Sequence, residues 1–261
     1  MNNRIAVVLA AASLCSCSRG MPEAKPFTGV VISKQPLSFP STGITVDENG
    51  ERFAWDTGRG IVSLADPSKV ILSKTTIASP GAVEDVVAIP GGFFAVIARN
   101  EGRVVRNDGV FYSRFCYLPG SLPRPEQGPV VSQLSRAIAY GGDEGRIYVQ
   151  PQTFNDAIAV DNQIGQFEMG NDQPLEWQPT PELEDMAGGM VVTSPHRLLL
   201  GLGSTLFEYD TGSQVFVRAV DLSNHVTRID GLAIDKHNNT LLVLDGNAPQ
   251  VLELAASATA E

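Results

Sequence analysis

The sequence is poor in the groups that most enzyme sites are built from. It has three histidines and three cysteines in 261 residues, and neither set has the spacing of a metal-ligating or redox motif. His196, His225 and His237 are scattered over turn-like stretches and read as surface turn residues. No G-x-S-x-G elbow, P-loop, C-x-x-C pair or E-x-x-H element occurs, which excludes the common hydrolase, nucleotide-binding and zinc readings. Basic charge is scarce too: 19 Lys and Arg against 29 Asp and Glu leave a formal charge of −10. A phosphate backbone is bound by clustered cations, so nucleic acid is excluded as a partner, and the acidity serves solubility. Charged residues make up only 18% of the chain and hydrophobic ones 43%, the balance of a folded chain with ample core material. Aromatics are 7%; Phe53, Trp55, Phe93 and Phe94 lie in strand-like runs and read as packing between sheets, not as a stacking platform. No apolar run approaches the roughly 20 residues that span a bilayer as a helix.

What is present at the N-terminus is a single cation, Arg4, an apolar run over 5–12, and then small residues around cysteine. That is the layout of a secretory signal. Leu14-Cys15-Ser16-Cys17 resembles the lipobox of bacterial lipoproteins, with leucine three places before Cys17 and a small residue just before it. Cys15 departs from the Ala, Ser, Thr or Val usual at the middle place. The resemblance implies a signal peptide over 1–16, lipidation (palmitate among the acyl chains) of Cys17, a polar tether over 17–26 and attachment to a membrane of the cell envelope. Ser18 after the anchor, in place of Asp, implies the periplasmic side of the outer membrane in a Gram-negative cell. An ordinary signal cut by general signal peptidase is the alternative. With Cys15 removed and Cys17 acylated, only Cys116 remains, so no intramolecular disulfide is available. Cys116 lies in the strand-like stretch 110–118 and reads as a small buried hydrophobe.

The rest of the chain is organised by a repeat. Residues 228–254, RIDGLAIDKHNNTLLVLDGNAPQVLEL, read as three short strands, 232–235, 240–245 and 251–254, with polar turns between them. The same punctuation recurs four times upstream. Strands are expected at 43–47, 52–56, 61–65 and 70–77; at 85–89, 93–98, 103–107 and 110–118; at 136–140, 146–150, 157–161 and 163–168; and at 189–192, 197–202, 206–210 and 215–221. Thr42, Asp85, Arg136, Gly188 and Asp230 stand at the start of the first strand of each unit, at intervals of 43, 51, 52 and 42 residues. Such a period with four strands per unit is the mark of a β-propeller. The expected fold is all-β, a propeller over 27–254 with five four-stranded blades, six being the alternative and a β-sandwich the runner-up fold. The last unit lacks a fourth strand and 27–33 is left unpaired, so the two ends are expected to pair and close the ring. Residues 255–261 read as a disordered tail.

Gly43-Ile44-Thr45-Val46-Asp47 with Asp56, and Gly231-Leu232-Ala233-Ile234-Asp235 with Asp245, are similar to the blades of NHL-type propellers. VEDVVAIPGGFFAVIARNEGRVV, beginning at Val83, together with the last unit resembles the SdiA-regulated family of envelope propellers. Both resemblances imply the blade and leave the ligand open. Asp230-Gly231-Leu232 also resembles the Asp-Gly step of the gluconolactonase and senescence-marker propellers. Those hold a divalent cation in the central channel by Glu, Asn and Asp at the starts of inner strands. That resemblance carries over Asp230 as a ligand of Ca²⁺ or Mg²⁺, and Asp85 stands at the equivalent place two blades round. Thr42, Arg136 and Gly188 fill the other places, and Arg136 sets a positive charge beside any cation.

Connections into the inner strands share one face of a propeller with the turns between second and third strands. The longest connections, 114–135 and 169–187, both fall there, and loops of that length usually bind something or move. Trp177, Glu182, Glu184 and Asp185 on one, with Arg114 and Arg124 on the other, are the expected rim. The leading expectation is an envelope-anchored, non-catalytic propeller that needs no cofactor and binds an envelope protein or a small ligand on this face, through Asp85, Arg136, Asp230, Trp177 and Glu184. The alternative is a metal-dependent lactonase or related hydrolase with Asp85 and Asp230 as ligands.

Overall fold

A computed structural model describes residues 27–77, 83–98, 101–117, 132–141, 145–155, 158–169, 176–179 and 187–256. Cys17, Arg124, Glu182, Glu184 and Asp185 lie outside the described residues. For Arg114, Cys116, Arg136 and Trp177 the description is of the backbone alone.

Among the described residues twenty strands form five four-stranded antiparallel sheets. β1 (Phe27–Pro36) leads into the first blade, β2 (Ser41–Val46), β3 (Arg52–Asp56), β4 (Gly60–Ser63) and β5 (Val70–Ser73), followed by the single helical turn α1 (Lys74–Ile77). The second blade is β6 (Val83–Ile89), β7 (Phe93–Ala98), β8 (Glu101–Arg106) and β9 (Phe111–Tyr117). The third is β10 (Ser132–Gly141), β11 (Arg146–Asn155), β12 (Ile158–Phe167) and β13 (Glu176–Pro179), and the fourth β14 (Ala187–Ser194), β15 (Arg197–Leu202), β16 (Thr205–Asp210) and β17 (Val215–Asp221). β18 (Ile229–Asp235), β19 (Thr240–Asp245) and β20 (Gln250–Ala256) make the fifth, completed by β1 in the order β1-β20-β19-β18. The inner strands β2, β6, β10, β14 and β18 each touch the next, and β18 touches β2. The fold is a five-bladed β-propeller whose ring is closed by its two ends: Val31 pairs with Leu254 and Gln35 with Val251.

The blades are held apart and together by apolar layers. Phe53, Trp55 and Ile61 of the first blade pack on Val86, Phe94 and Val105 of the second, with Phe53 and Phe94 edge to face at 5.4 Å. Ala95 and Ile97 meet Ile138 and Ile147 at the next seam. Ala137 and Tyr148 meet Leu198 and Leu200, Leu199 and Leu206 meet Leu232 and Val243, and Leu242 and Leu244 meet Ile44 and Ala54. No single sheet buries both its faces alone, which is why the unit must repeat.

The aspartates of the blade text hold turns. Asp47 Oδ1 accepts from the N–H groups of Asn49 and Glu51, and Asp235 Oδ1 from those of His237 and Asn238, closing the turn after the first strand. Asp56 and Asp245 do the same for the turn after the second strand, and Asp210 for the turn after the third. A short acceptor side chain mimics the missing backbone partner of a tight turn.

Four expectations are corrected here. The stretch 70–77 is not one strand: β5 stops at Ser73, whose hydroxyl accepts the N–H of Thr76 and starts a helical turn. In the third blade, 157–161 and 163–168 are not two strands joined by a turn at Asp161-Asn162. They are the one strand β12, because β11 is long enough to pair with both halves, Gln152 with Asn162 and Val149 with Gly165. The fourth strand is β13, so Trp177 belongs to an outer strand opposite Gly165 and not to a loop. β20 also runs on to Ala256, opposite Phe27.

Candidate functional site

The propeller axis has two ends of different character. At the end where the chain enters the inner strands, each inner strand carries a bulge. Pairing with the second strand is interrupted between Ser41 and Ile44, Val83 and Asp85, Ser135 and Ala137, Ala187 and Gly189, and Ile229 and Gly231. The residues set out of register are Thr42 with Gly43, Glu84, Arg136, Gly188 and Asp230. Bulges re-aim side chains, and the expected ring of Thr42, Asp85, Arg136, Gly188 and Asp230 coincides with them in four blades. In the second blade the bulged residue is Glu84, one place earlier than Asp85. The Asp230-like spacing in Val83-Glu84-Asp85 fits either acid, and pairing of Asp85 with Ile97 decides it.

Asp85 and Asp230 are both buried and are committed to different partners. Asp85 Oδ1 accepts the N–H of Val86 at 2.8 Å and Oδ2 the N–H of Ile138 in the third blade at 3.1 Å, so this side chain staples two blades. Burial pushes its carboxyl well above the usual carboxylate range, against the pull of the two N–H groups, and neighbouring Glu84 adds to the rise. Asp230 is gripped at both oxygens by Arg228, each at 2.7 Å. It also stands so close to the turn after β19 that a Cβ on Gly246 would lie 1.8 Å from its Oδ2. The two carboxylates share no hydrogen-bond partner, and among the described residues no group of three or more His, Cys, Asp or Glu side chains is placed to hold a metal ion.

At the opposite end the axis opens into a cavity of about 520 Å³, within the size range of small-molecule sites. Two rings of equivalent residues line it. The inner ring is Val46, Val87, Ala139, Val191 and Ala233, each two residues beyond the point where pairing resumes after the bulge. The next ring outward is Asp47, Ala88, Tyr140, Val192 and Ile234. Small or β-branched side chains at the inner position keep the axis open where five strands crowd together. The cavity opens among the turns that join first to second strands, which is the face opposite to the one expected from loop lengths.

The mouth of the cavity is polar and mixed in sign. Asp47 is engaged by its own turn, and Glu48 accepts the N–H of Gly91 across the first seam at 3.1 Å. His237 Nε2 meets the carbonyl of Glu48 at 3.0 Å, tying the last blade's turn to the first's. Thr45 Oγ1 accepts the N–H of Ala88 at 2.7 Å. Burial raises the Tyr140 hydroxyl above its ordinary value, so it stays protonated and offers a hydrogen bond at neutral pH. Lys236 is exposed at the rim and outside every ion pair among the described residues. Sequence reasoning took His237 for a surface turn residue and Thr45 and Asp47 for blade text, and did not gather these residues into a site. The signal was there in the form of small apolar residues at one equivalent place in all five repeats.

Fold and axial opening define the class: a five-bladed β-propeller with a hollow, apolar-walled axis. No protein-family model matches the sequence, and no curated protein sequence matches it. Among solved structures the chain is similar to a gluconolactonase from Xanthomonas campestris, described as important in glucose secondary metabolic pathways. The identity is 11% over 84% of this chain and 88% of that one, with a TM-score of 0.50. A likeness at that identity shows the shared propeller fold and nothing finer.

Proposed function

We propose that this is an exported lipoprotein, anchored by acyl chains on Cys17 to the periplasmic side of the outer membrane, whose propeller binds a small ligand or a protein segment without transforming it. The anchor rests on the lipobox-like Leu14-Cys15-Ser16-Cys17, and the envelope setting on that anchor and on the blade text that resembles the SdiA-regulated family. The observation that carries the binding role is the axial cavity, lined by five small apolar residues at equivalent positions and rimmed by Tyr140, Lys236 and His237. An apolar well with a few polar groups at its mouth binds by shape and burial.

The test is a cavity-filling substitution. Val87→Trp blocks the axis from a half-buried position, and wild-type and variant domains are incubated with extracts of envelope small molecules and peptides. A compound retained by the wild type and lost from a folded variant supports the reading; equal retention, or none by either, sinks it. The anchor is checked separately: Cys17→Ser leaves the precursor unprocessed, and normal maturation of that variant overturns the assignment.

A second reading, a metal-dependent lactonase or related hydrolase using Asp85 and Asp230, draws on the fold likeness to a gluconolactonase. The described residues do not fit a resident cation. Both oxygens of Asp230 are held by Arg228, and both oxygens of Asp85 accept backbone N–H groups. Oxygen ligands of a hard cation must be free to converge on it, so no catalytic step is derived. Calorimetry with millimolar Ca²⁺ or Mg²⁺ on the purified domain decides the matter: heat of binding that Asp230→Asn abolishes would revive this reading.

A further inference from the structure

Strand β1 is the outermost strand of its blade and the first element after the tether. One side of it is core: Phe27 is buried, and Val31 packs with it in the cluster that holds Leu222 and Leu254. The other side is bare. Val30 and Ile32 are 57% and 55% exposed, more than any other large hydrophobic residue among those described.

The backbone explains how they come to stand out. Pairing with β20 shifts between Phe27 and Val31 and again between Val31 and Ser33, which sets Val30 and Ile32 out of register. Gly29 has φ +78° and lies so near β17 that a Cβ on it would come within 2.8 Å of Val220 Cγ1. The strand is pinned to the neighbouring blade there by a residue that only glycine supplies.

Two exposed aliphatic side chains on an edge strand need a reason, since edges are normally defended by charge. The two bulges break the regular ladder ahead of Ser33 and leave only Ser33–Pro36 in register, so a second copy or an extended peptide finds a short edge that ends in proline. What these residues suit is a partner that takes up apolar surface without aligned backbone hydrogen bonds, and a lipid surface does so. Lys34, exposed and outside every ion pair among the described residues, continues the row. Its stem can lie along the apolar surface while its ammonium reaches anionic headgroups.

Chain length selects the occupant. Residues 17–26 span at most about 33–36 Å when fully extended, and they join the acylated cysteine directly to β1. Of the other exposed apolar residues, Val215 and Val217 lie on β17 of the blade beside β1, whereas Val110, Phe111 and Tyr112 belong to the second blade, two blades round the ring, where Tyr112 already packs edge-on to Phe93 at 5.1 Å. We infer that the propeller docks edge-on through β1, with Val30 and Ile32 seated in the headgroup boundary of the bilayer that holds its acyl chains. The inference rests on the anchor proposed above. It places the ring axis along the membrane surface, so the axial cavity opens sideways.

The experiment uses full-length acylated protein in vesicles of phosphatidylethanolamine and phosphatidylglycerol. Single cysteines replace Val30, Ile32 or Phe111 in a Cys116→Ser background and carry a polarity-sensitive fluorophore. Labels at 30 and 32 are expected to shift to the blue and to be shielded severalfold from an aqueous quencher on attachment, with the label at 111 unchanged. Hydrogen exchange of the unmodified protein gives the same answer without substitutions: amides of 27–36 slow on vesicles and those of 111–117 do not. Protein that floats with vesicles but shows neither effect at β1, or shows it equally at 111, overturns the docking and leaves the anchor standing. Protein that carries no acyl group and does not float removes the anchor, and the docking with it.

Discussion

Two seams of this ring solve the same packing problem with opposite electrostatics. Between the last blade and the first, Arg52 donates to Asp235 Oδ2 through Nε at 3.0 Å and Nη2 at 2.8 Å, and Nη2 also reaches Glu253 Oε1 at 2.6 Å. Glu253 in turn takes the hydroxyls of Thr240 at 2.8 Å and Ser33 at 2.9 Å, so one cluster ties β1, β19, β20 and β3 together. Between the second and third blades the buried acid is Asp85, bonded only to neutral N–H groups among the described residues. At the first seam burial pushes the acids up, but hydrogen bonds from Asn238 and Arg52 to Asp235, and from Arg52, Thr240 and Ser33 to Glu253, outweigh it and hold both below the ordinary carboxylate range. At the second, burial wins. The difference follows connectivity. Second and third blades are neighbours in the chain and need little to find each other, whereas the latch joins residues 183 and 201 positions apart. Charge pairing there adds specificity to apolar layers that would tolerate sliding.

The sharpest way to break the comparison is to attack a seam where the backbones themselves meet. Between the fourth and fifth blades the backbones touch, and a Cβ on Gly188 would lie 1.6 Å from the carbonyl oxygen of Ile229. Gly188→Ala must push two inner strands apart and is expected to cost about 3 kcal/mol, the upper end for overpacking, read by urea unfolding. A cost below about 1 kcal/mol would show that the blades slide freely.

Arg52→Ala comes next. It leaves the fully buried Asp235 and the half-buried Glu253 without their cation, and a cost of about 2–3 kcal/mol is expected. That is less than for a sealed pair, since 26% of the arginine side chain meets solvent. The same variant tests the pH argument. Asp235 and Glu253 have folded-state values below their unfolded ones, so the fold binds fewer protons than the unfolded chain. Their stabilisation is present above the unfolded values of about 4 and is lost as pH falls through the lowered ones. Arg52→Ala should flatten that acid limb, and an unchanged limb would remove the latch from the account.

A smaller effect is expected from Thr45→Val, which takes the acceptor from the N–H of Ala88 while keeping the shape. A loss of about 1 kcal/mol is expected, with the same unfolding slope.

Asp85→Asn leaves one of two buried N–H groups without its acceptor, so its test is the pH dependence, which runs with the opposite sign. The raised folded-state value means that the fold holds a proton the unfolded chain has lost, so Asp85 erodes stability as pH climbs from about 4 toward that value. The difference between Asp85→Asn and parent should therefore move in the variant's favour as pH rises from 4 to 8. A difference independent of pH over that range would count against a raised value.

The blade count and the closure were legible because they are written locally. Turn residues and short apolar runs recur at a fixed interval, and a leftover strand at one end matches a gap at the other. The third blade misled for an equally local reason: Asp161-Asn162 has the chemistry of a turn, and only the length of β11, a tertiary fact, turns it into mid-strand. The bulge at Glu84 was a one-residue matter that periodicity cannot resolve between adjacent acids. Arg52 gave no signal at all, since both its partners are far away in the chain and an arginine after a turn is commonplace. Loop length pointed to one face, while the inner ring of Val46, Val87, Ala139, Val191 and Ala233 places the opening on the other.

The pairing of β1 with β20 has a consequence for biogenesis. The described strand nearest the N-terminus takes as its hydrogen-bonding mate the one nearest the C-terminus, so the circle stays open until Gln250–Ala256 is available to pair. A chain cut short before Gln250 is left with its opening strand and no place to put it.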